Sequence, residues 1–416
     1  MDHSRIRIQL ESDLSNEIWR NIEGDIIARL LNLSKTEKSN NYYKSLLEGH
    51  SFKVTSELTP KLFNTFREVC ERLEFTDPVD FYITNSPEVN AFSSTRTEND
   101  QPHIVNINST LVDKFDDEEL QFVIGHEVGH IISNNTRINE IVNFVFADPL
   151  KMPILLYNKL TIWYKLAELT ADRYGLIACR NLEKCISGFF KLSSGLDISK
   201  TNFDYGSFLK ENDRRLDFFK KEKAGNFSTH PVNPLRIKAI EYFYQSDLFR
   251  CISEKKEIKN DPELDKQISE LTDLLLILRS SELDYHRSMF VASAGLLMAS
   301  IDEKVDETEY EVILNALAGY MVFPVAILKQ ILEKGIQKDI FFSSTQILLQ
   351  QNPIERDVLF DYLIAVALTD KLILEKEIAF LNEAGQNLFG FTMREIAQKI
   401  SAQIQRSFIP KMVTEK

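Results

Sequence analysis

At 416 residues the chain is long enough for two or three domains with sizeable cores. Its 44% apolar and 27% charged residues are those of an ordinary soluble globular protein. A net charge of -13 excludes a non-specific nucleic-acid binder or an anionic-membrane binder, because both need a basic surface.

Residues 1–7 contain no apolar run of the kind that marks a secretory signal. Residues 1–54 read as a helical lead-in, with Ile18, Trp19, Ile22, Ile26, Ile27, Leu30 and Leu31 at helical spacing. No residue type there points to chemistry, so the segment is expected to pack or to meet a neighbouring subunit. A second helical pattern follows in Leu62, Phe63, Phe66, Val69, Cys70 and Leu73. The alternation of residues 79–83 and of residues 103–108 predicts two strands, with Asn90-Ala91-Phe92 and a polar loop between them. A strand just before the next helix offers an edge on which an extended peptide could lie.

Residues 110–115 predict a short helix, and the acidic run Asp116 to Glu119 suits the positive end of the helix that follows. That helix carries His126-Glu127-Val128-Gly129-His130 among apolar flanks. Histidines at i and i+4 project from one face, so both imidazoles can reach one metal ion, and a buried cluster of this kind needs a partner for its charge. Glu127 lies beside them where a carboxylate can hold a water and take its proton, the arrangement of zinc hydrolysis. An open zinc site uses three protein ligands, so a third is expected downstream. Glu168 is the candidate: Glu168 and Asp172 stand one turn apart on a helix, so one can bind metal while the other orients a ligand histidine. Ala167 and Ala171 are small enough to let this helix approach the histidine helix closely.

These ordered motifs, His126-Glu127-x-x-His130, Glu168-x-x-x-Asp172 and the upstream Asn90-Ala91-Phe92, resemble the CAAX prenyl protease and HtpX-like family of gluzincin-type zinc metallopeptidases. The resemblance covers residues 55–250. It implies one Zn2+ per chain held by His126, His130 and Glu168, with Glu127 as general base. It also implies a closing His-Pro segment followed by an arginine, which here are His230-Pro231 and Arg236. On the residues alone, His230 fits a turn, or a donor to the oxyanion of a tetrahedral intermediate. Arg236 could pair with Asp172 or brace the site. Membrane-bound relatives carry spanning helices after the second histidine. Here residues 141–164 are interrupted by Asp148, Pro149, Lys151, Pro153 and Lys159, so a peptidase without a membrane span, acting on peptides or unfolded protein, is expected.

The charged stretch from Glu254 to Asp261 sets a boundary, with residues 251–283 as a charged linker and connecting helix. Residues 284–416 read as all helical, with Pro324 starting a helix inside the apolar stretch 312–328. Residues 299–309 resemble residues 367–377: each has an apolar helix ending near an Asp, then a Glu at the same offset. This pattern is similar to the two halves of a TerB-like (tellurite-resistance type) domain, which implies an interaction or regulatory module. Asp302, Asp306, Glu309, Asp370 and Glu377 could offer oxygen ligands to a divalent cation. The Asp306 and Glu309 spacing fits a helix cap and its capping-box partner better.

The expectation is therefore an α+β, mainly helical protein: a zincin-like peptidase domain with a small sheet, then an all-helical domain with an internal repeat. A scaffolding protein with a structural or occluded zinc site is the alternative. The four scattered cysteines, Cys70, Cys179, Cys185 and Cys251, form no C-x-x-C pair and suit a reducing, cytoplasmic setting.

Overall fold

The computed structural model describes residues 1–36, 42–96, 101–196, 198, 201–222, 230–257, 260–276, 281–301, 307–369 and 374–406. Contacts divide the chain into two units, Met1–Leu276 and Ile277–Lys416.

In the first unit, α1 (His3–Ile6), α2 (Gln9–Asn21), α3 (Gly24–Thr36) and α4 (Tyr42–His50) lead into β1 (Phe52–Lys53) and α5 (Pro60–Arg72). Three strands follow, β2 (Val79–Thr84), β3 (Ala91–Ser94) and β4 (His103–Asn108). Then come α6 (Ser109–Lys114), α7 (Asp117–Ile132), α8 (Asn135–Val145) and α9 (Ile154–Cys179). The unit closes with α10 (Leu182–Ser194), α11 (Tyr205–Glu222), α12 (Asn233–Gln245), α13 (Asp247–Ser253) and α14 (Pro262–Leu276).

The sheet has the order β1-β2-β4-β3. β2 and β4 are parallel, with Val79 opposite His103, while β3 runs antiparallel to β4, with Ala91 opposite Ile107. β4 is thus an interior strand buried from His103 to Ile107. Its polar residues are satisfied there: Asn106 Oδ1 accepts from Thr84 Oγ1 at 2.8 Å, and His103 Nδ1 accepts from the Arg96 amide at 3.1 Å. The free edge beside α7 belongs to β3, not to the strand that immediately precedes the histidine helix.

Two helices form the centre of this unit. α7 starts with a full capping box, in which the Asp116 side chain accepts from the Glu119 amide and Glu119 returns the bond. Apolar residues on nearly every side then bury it. Its main partner is α9, and glycines allow their close approach. A Cβ added at Gly125 would fall 2.5 Å from the Ala178 Cβ, one at Gly129 2.7 Å from the Tyr174 Cβ, and one at Gly175 2.6 Å from the Phe122 ring. The N-terminal helices clasp the other side of α9: Arg173 Nη1 donates to the Ile6 carbonyl at 2.8 Å, and Trp163 Nε1 to Ser15 Oγ at 2.7 Å.

In the second unit, α15 (Glu282–Ala299) is buried along most of its length by α16 (Glu307–Ala318), α17 (Pro324–Lys334), α18 (Gln337–Gln351) and α19 (Arg356–Ala367). α20 (Glu375–Asn387) and α21 (Met393–Arg406) complete it. Phe290, Phe341, Phe360 and Leu363 lie at its core. The two segments expected to repeat join α15 to α16 and α19 to α20. Among the described residues, no helix of either unit is long and apolar enough to cross a membrane.

Candidate metal centre

Helical phase brings the charged groups together. On α7, His126 and His130 lie one turn apart and aim their Nε2 atoms at one point, 3.1 Å from each other. From α9, Glu168 brings Oε2 to 3.6 Å from His126 Nε2 and Oε1 to 3.5 Å from His130 Nε2. Among the described residues, these three form the group whose donor atoms could hold a metal ion. Zinc bonds of about 2.0–2.1 Å at tetrahedral angles separate ligand atoms by about 3.3–3.4 Å, so the spacing here suits one ion. Two imidazoles and a carboxylate are also the donor set of an open zinc site.

The surroundings hold that set in place. Asp172, one turn beyond Glu168, puts Oδ1 3.0 Å from His126 Nδ1, which fixes the ring and turns Nε2 inward. Arg236, on α12, donates from Nε and Nη2 to the two Asp172 oxygens at 2.8 and 2.6 Å. Its Nη2 also lies 3.3 Å from Glu168 Oε2, and its guanidinium lies 4.9 Å from the Phe189 ring centre. Burial pushes the Glu168 carboxyl up, but Arg236 and the two histidines pull it well below the usual carboxylate range. Burial likewise works against charge on Asp172, and Arg236 again overturns it. His130 is pushed down by burial, yet the pull of Glu168, Glu127 and Asp172 leaves it raised. Glu127, Glu168 and Asp172 set three carboxylates against one guanidinium, an excess of negative charge suited to a divalent cation.

The group lies in a cleft of about 610 Å³. Asn90, Ala91, Phe92 and Ser93, from the β3 edge and the residue before it, line one side, and Glu127 faces the space beside the histidines. His230 stands exposed and also lines this cleft. Of the site residues named from the sequence, His126, Glu127, His130, Glu168, His230 and Arg236 line this cleft, and Asp172 bonds to His126 and Arg236 without lining it. Asp302, Asp306 and Asp370 lie outside the described residues. Glu309 and Glu377 are buried, and Glu377 Oε2 accepts from the Leu374 amide at 2.7 Å as a helix cap.

Some parts of the site carry no motif. The close α7–α9 approach rests on Gly125, Gly129 and Gly175 rather than on Ala167 and Ala171 alone, and the Gly125-x-x-x-Gly129 spacing is the signal that could have revealed it. Asn135 and Thr136, at the start of α8, also line the cleft.

Residues 56–243, just under half the chain, match the model of peptidase family M48. The chain is 24% identical over 226 residues to a plastoglobule-localized metallopeptidase 48, chloroplastic, of Arabidopsis thaliana, covering 51% of this chain and 65% of that protein. It is 28% identical over 120 residues to a protease HtpX homolog of Helicobacter acinonychis, covering 29% of this chain and 37% of that one. A protease HtpX homolog of Tropheryma whipplei is 33% identical over 99 residues, with 24% and 33% covered. The chain therefore spans less than two thirds of each of these relatives. No solved structure gives a significant match. The matches support a metalloprotease.

Proposed function

We propose that the first unit is a zinc-dependent endopeptidase with Glu127 as its general base. The observation that carries this reading is the spacing of His126 Nε2, His130 Nε2 and Glu168 at 3.1–3.6 Å beside a cleft lined by the Glu127 carboxylate and a strand edge. A zinc ion held by these three side chains supplies Lewis acidity, which lowers the pKa of water towards about 7 and polarises a peptide carbonyl.

The rest is the work of the chain itself. An extended peptide pairs with the β3 edge, which sets its scissile carbonyl beside the histidines. Glu127 accepts a proton from the attacking water and passes it to the departing amine nitrogen. His230, at the cleft, donates to the oxyanion of the tetrahedral intermediate. Asp172 keeps His126 in one tautomer, and Arg236 braces Asp172 and Glu168. Residues 284–416 are a TerB-like interaction or regulatory module, and the protein works in the cytoplasm on peptides or unfolded protein.

Purified protein should hold about one zinc per chain, as an open three-ligand site implies. Glu127→Gln should keep the metal and lose cleavage of casein. If wild type and Glu127→Gln are equally inert towards a broad peptide library while both hold zinc, the scaffolding alternative replaces this reading. Deleting residues 284–416 should raise activity if that module covers the cleft, and unchanged activity removes that role.

A further inference from the structure

The cleft is sorted along its length, with apolar surface at one end and hydrogen-bonding groups at the other. β3 runs beside α7, and the chain connections fix what lies at each end. Ala91, at the start of β3, pairs with Ile107, and α6, which carries Leu111, begins two residues later. α10 packs on the same half of α7: the Phe189 and Phe122 ring centres are 5.3 Å apart, and Lys191 Nζ donates to Glu119 at 2.7 Å. The next residue, Leu192, lines the cleft together with Phe92, Leu111, Phe122 and Val123. Leu192 is 39% exposed and Phe92 40%, so both offer apolar surface to whatever enters.

The other end differs. Beyond His130 the chain enters α8, and Thr136 Oγ1 is hydrogen-bonded to Thr95 Oγ1 just past the last residue of β3. Thr136, Asn139 and Tyr164 line the cleft here. Tyr164 stands one turn before Glu168 on α9, which runs antiparallel to α7, since Gly125 meets Ala178 and Gly129 meets Tyr174. The Tyr164 hydroxyl donates to Asn139 Oδ1 at 2.7 Å, and Asn143 Nδ2 donates to the same oxygen at 3.3 Å. Both bonds use the carbonyl oxygen, so the exposed Asn139 keeps its N–H groups for an acceptor from outside. Trp163, also at this end, is fully buried and gives its indole N–H to Ser15.

We infer that the cleft selects a peptide segment with an apolar side chain on one side of the scissile bond and a hydrogen-bonding one on the other. Leu192 and Phe92 receive the first, and Asn139 receives the second. This rests on the peptidase reading. His126 and His130 stand between Val123 and Thr136 along the chain, so the metal group lies between the two ends. A segment paired with the β3 edge therefore meets both ends, whichever way it runs. An apolar side chain at Asn139 would strip water from the amide and return no acceptor. A charged side chain against Leu192 would lose its hydration in the same way.

The test is a randomised library of capped decapeptides, cleaved by wild type, Leu192→Glu and Asn139→Leu, with the cut sites read by mass spectrometry. Wild type should enrich leucine, isoleucine or phenylalanine at one position and asparagine, glutamine, serine or threonine at another, on opposite sides of the cut. Leu192→Glu should lower the apolar enrichment by about tenfold or more and admit lysine and arginine there, with the other side unchanged. Asn139→Leu should remove the polar preference and leave the apolar one. If Leu192→Glu lowers the Tm, Leu192→Ser must show the same loss at the same position. Preferences on one side of the cut only, or losses spread evenly over all positions, would overturn the proposal. An unselective wild type would overturn it too while leaving the peptidase reading intact. If wild type cuts nothing, dye-labelled peptides with and without an apolar residue are titrated onto the zinc-loaded protein by fluorescence anisotropy. A preference for the apolar peptides that Leu192→Glu abolishes then keeps the sorted cleft without hydrolysis, and no such preference overturns both readings.

Discussion

Arg236 grips both carboxylate oxygens of Asp172, at 2.8 and 2.6 Å, and the Oδ1 of that same Asp172 lies 3.0 Å from His126 Nδ1. One carboxylate thereby ties α12 to α9 and both to a histidine of the candidate metal group on α7. Its position decides which way the His126 ring faces.

Asp172→Asn tests that joint. The amide keeps the size of the carboxylate but loses the charge that holds both His126 and Arg236. Removing such an outer partner of a ligand histidine weakens metal binding by about 10–100-fold. Competition with a fluorescent zinc chelator reads the change, and unchanged affinity would mean that Asp172 does not govern the ring.

Arg236→Met should destabilise the metal-free protein by about 3–5 kcal/mol, the cost of leaving a buried partner charge uncompensated. Both Asp172, which is buried, and Glu168, which is half-buried, lose their counter-ion. Arg236→Lys should recover only part of this, since an ammonium cannot form the two-pronged contact. Urea unfolding in the presence of chelator measures both variants. Full recovery by lysine would show that charge alone matters.

Gly129→Ala puts a methyl group where the Tyr174 side chain already lies, 2.7 Å away. Overpacking of this kind costs about 1–3 kcal/mol, and by prising α7 from α9 it should also weaken zinc binding. Gly49 provides the contrast, because nothing lies within 4 Å of its added Cβ and it sits in α4. Gly49→Ala should stabilise by about 0.5–1 kcal/mol. Thermal melts of the two variants should therefore move in opposite directions.

The residues of the candidate site were legible in the sequence for different reasons. His126, Glu127 and His130 follow from helical phase within one turn, a purely local property. Glu168 and Asp172 needed the added argument that a third ligand must exist. His230 and Arg236 came only through family resemblance, because nothing local links α12 to α9. The free β3 edge was misplaced, since the order β1-β2-β4-β3 crosses over in a way that strand patterns do not encode. Asn139 and Tyr164 escaped notice because their meeting across two helices is a property of packing. The lead-in helices were expected to pack or to meet a neighbouring subunit, and Ile6 and Ser15 accept hydrogen bonds from side chains of α9.

Zinc affinity should fall with acidity, and from a higher pH than an ordinary histidine site. In the metal-free protein, burial disfavours the protonated His130, but Glu168, Glu127 and Asp172 outweigh it and raise its pKa. A metal must displace that proton, because only the neutral imidazole is a ligand. Below the raised pKa each zinc bound therefore releases a proton from His130, and affinity drops about tenfold per pH unit. Above it, affinity levels off. Glu168 adds nothing to this slope, since its neighbours keep it ionised far below that range. Competition titrations at several pH values give the slope, and thermal melts at each pH give a second readout. At a free zinc level of about 100 times Kd the ion should add about 2.7 kcal/mol of stability, which shrinks as acid weakens binding. An affinity that stays flat down to the ordinary histidine pKa of about 6.5 would remove the predicted proton from His130.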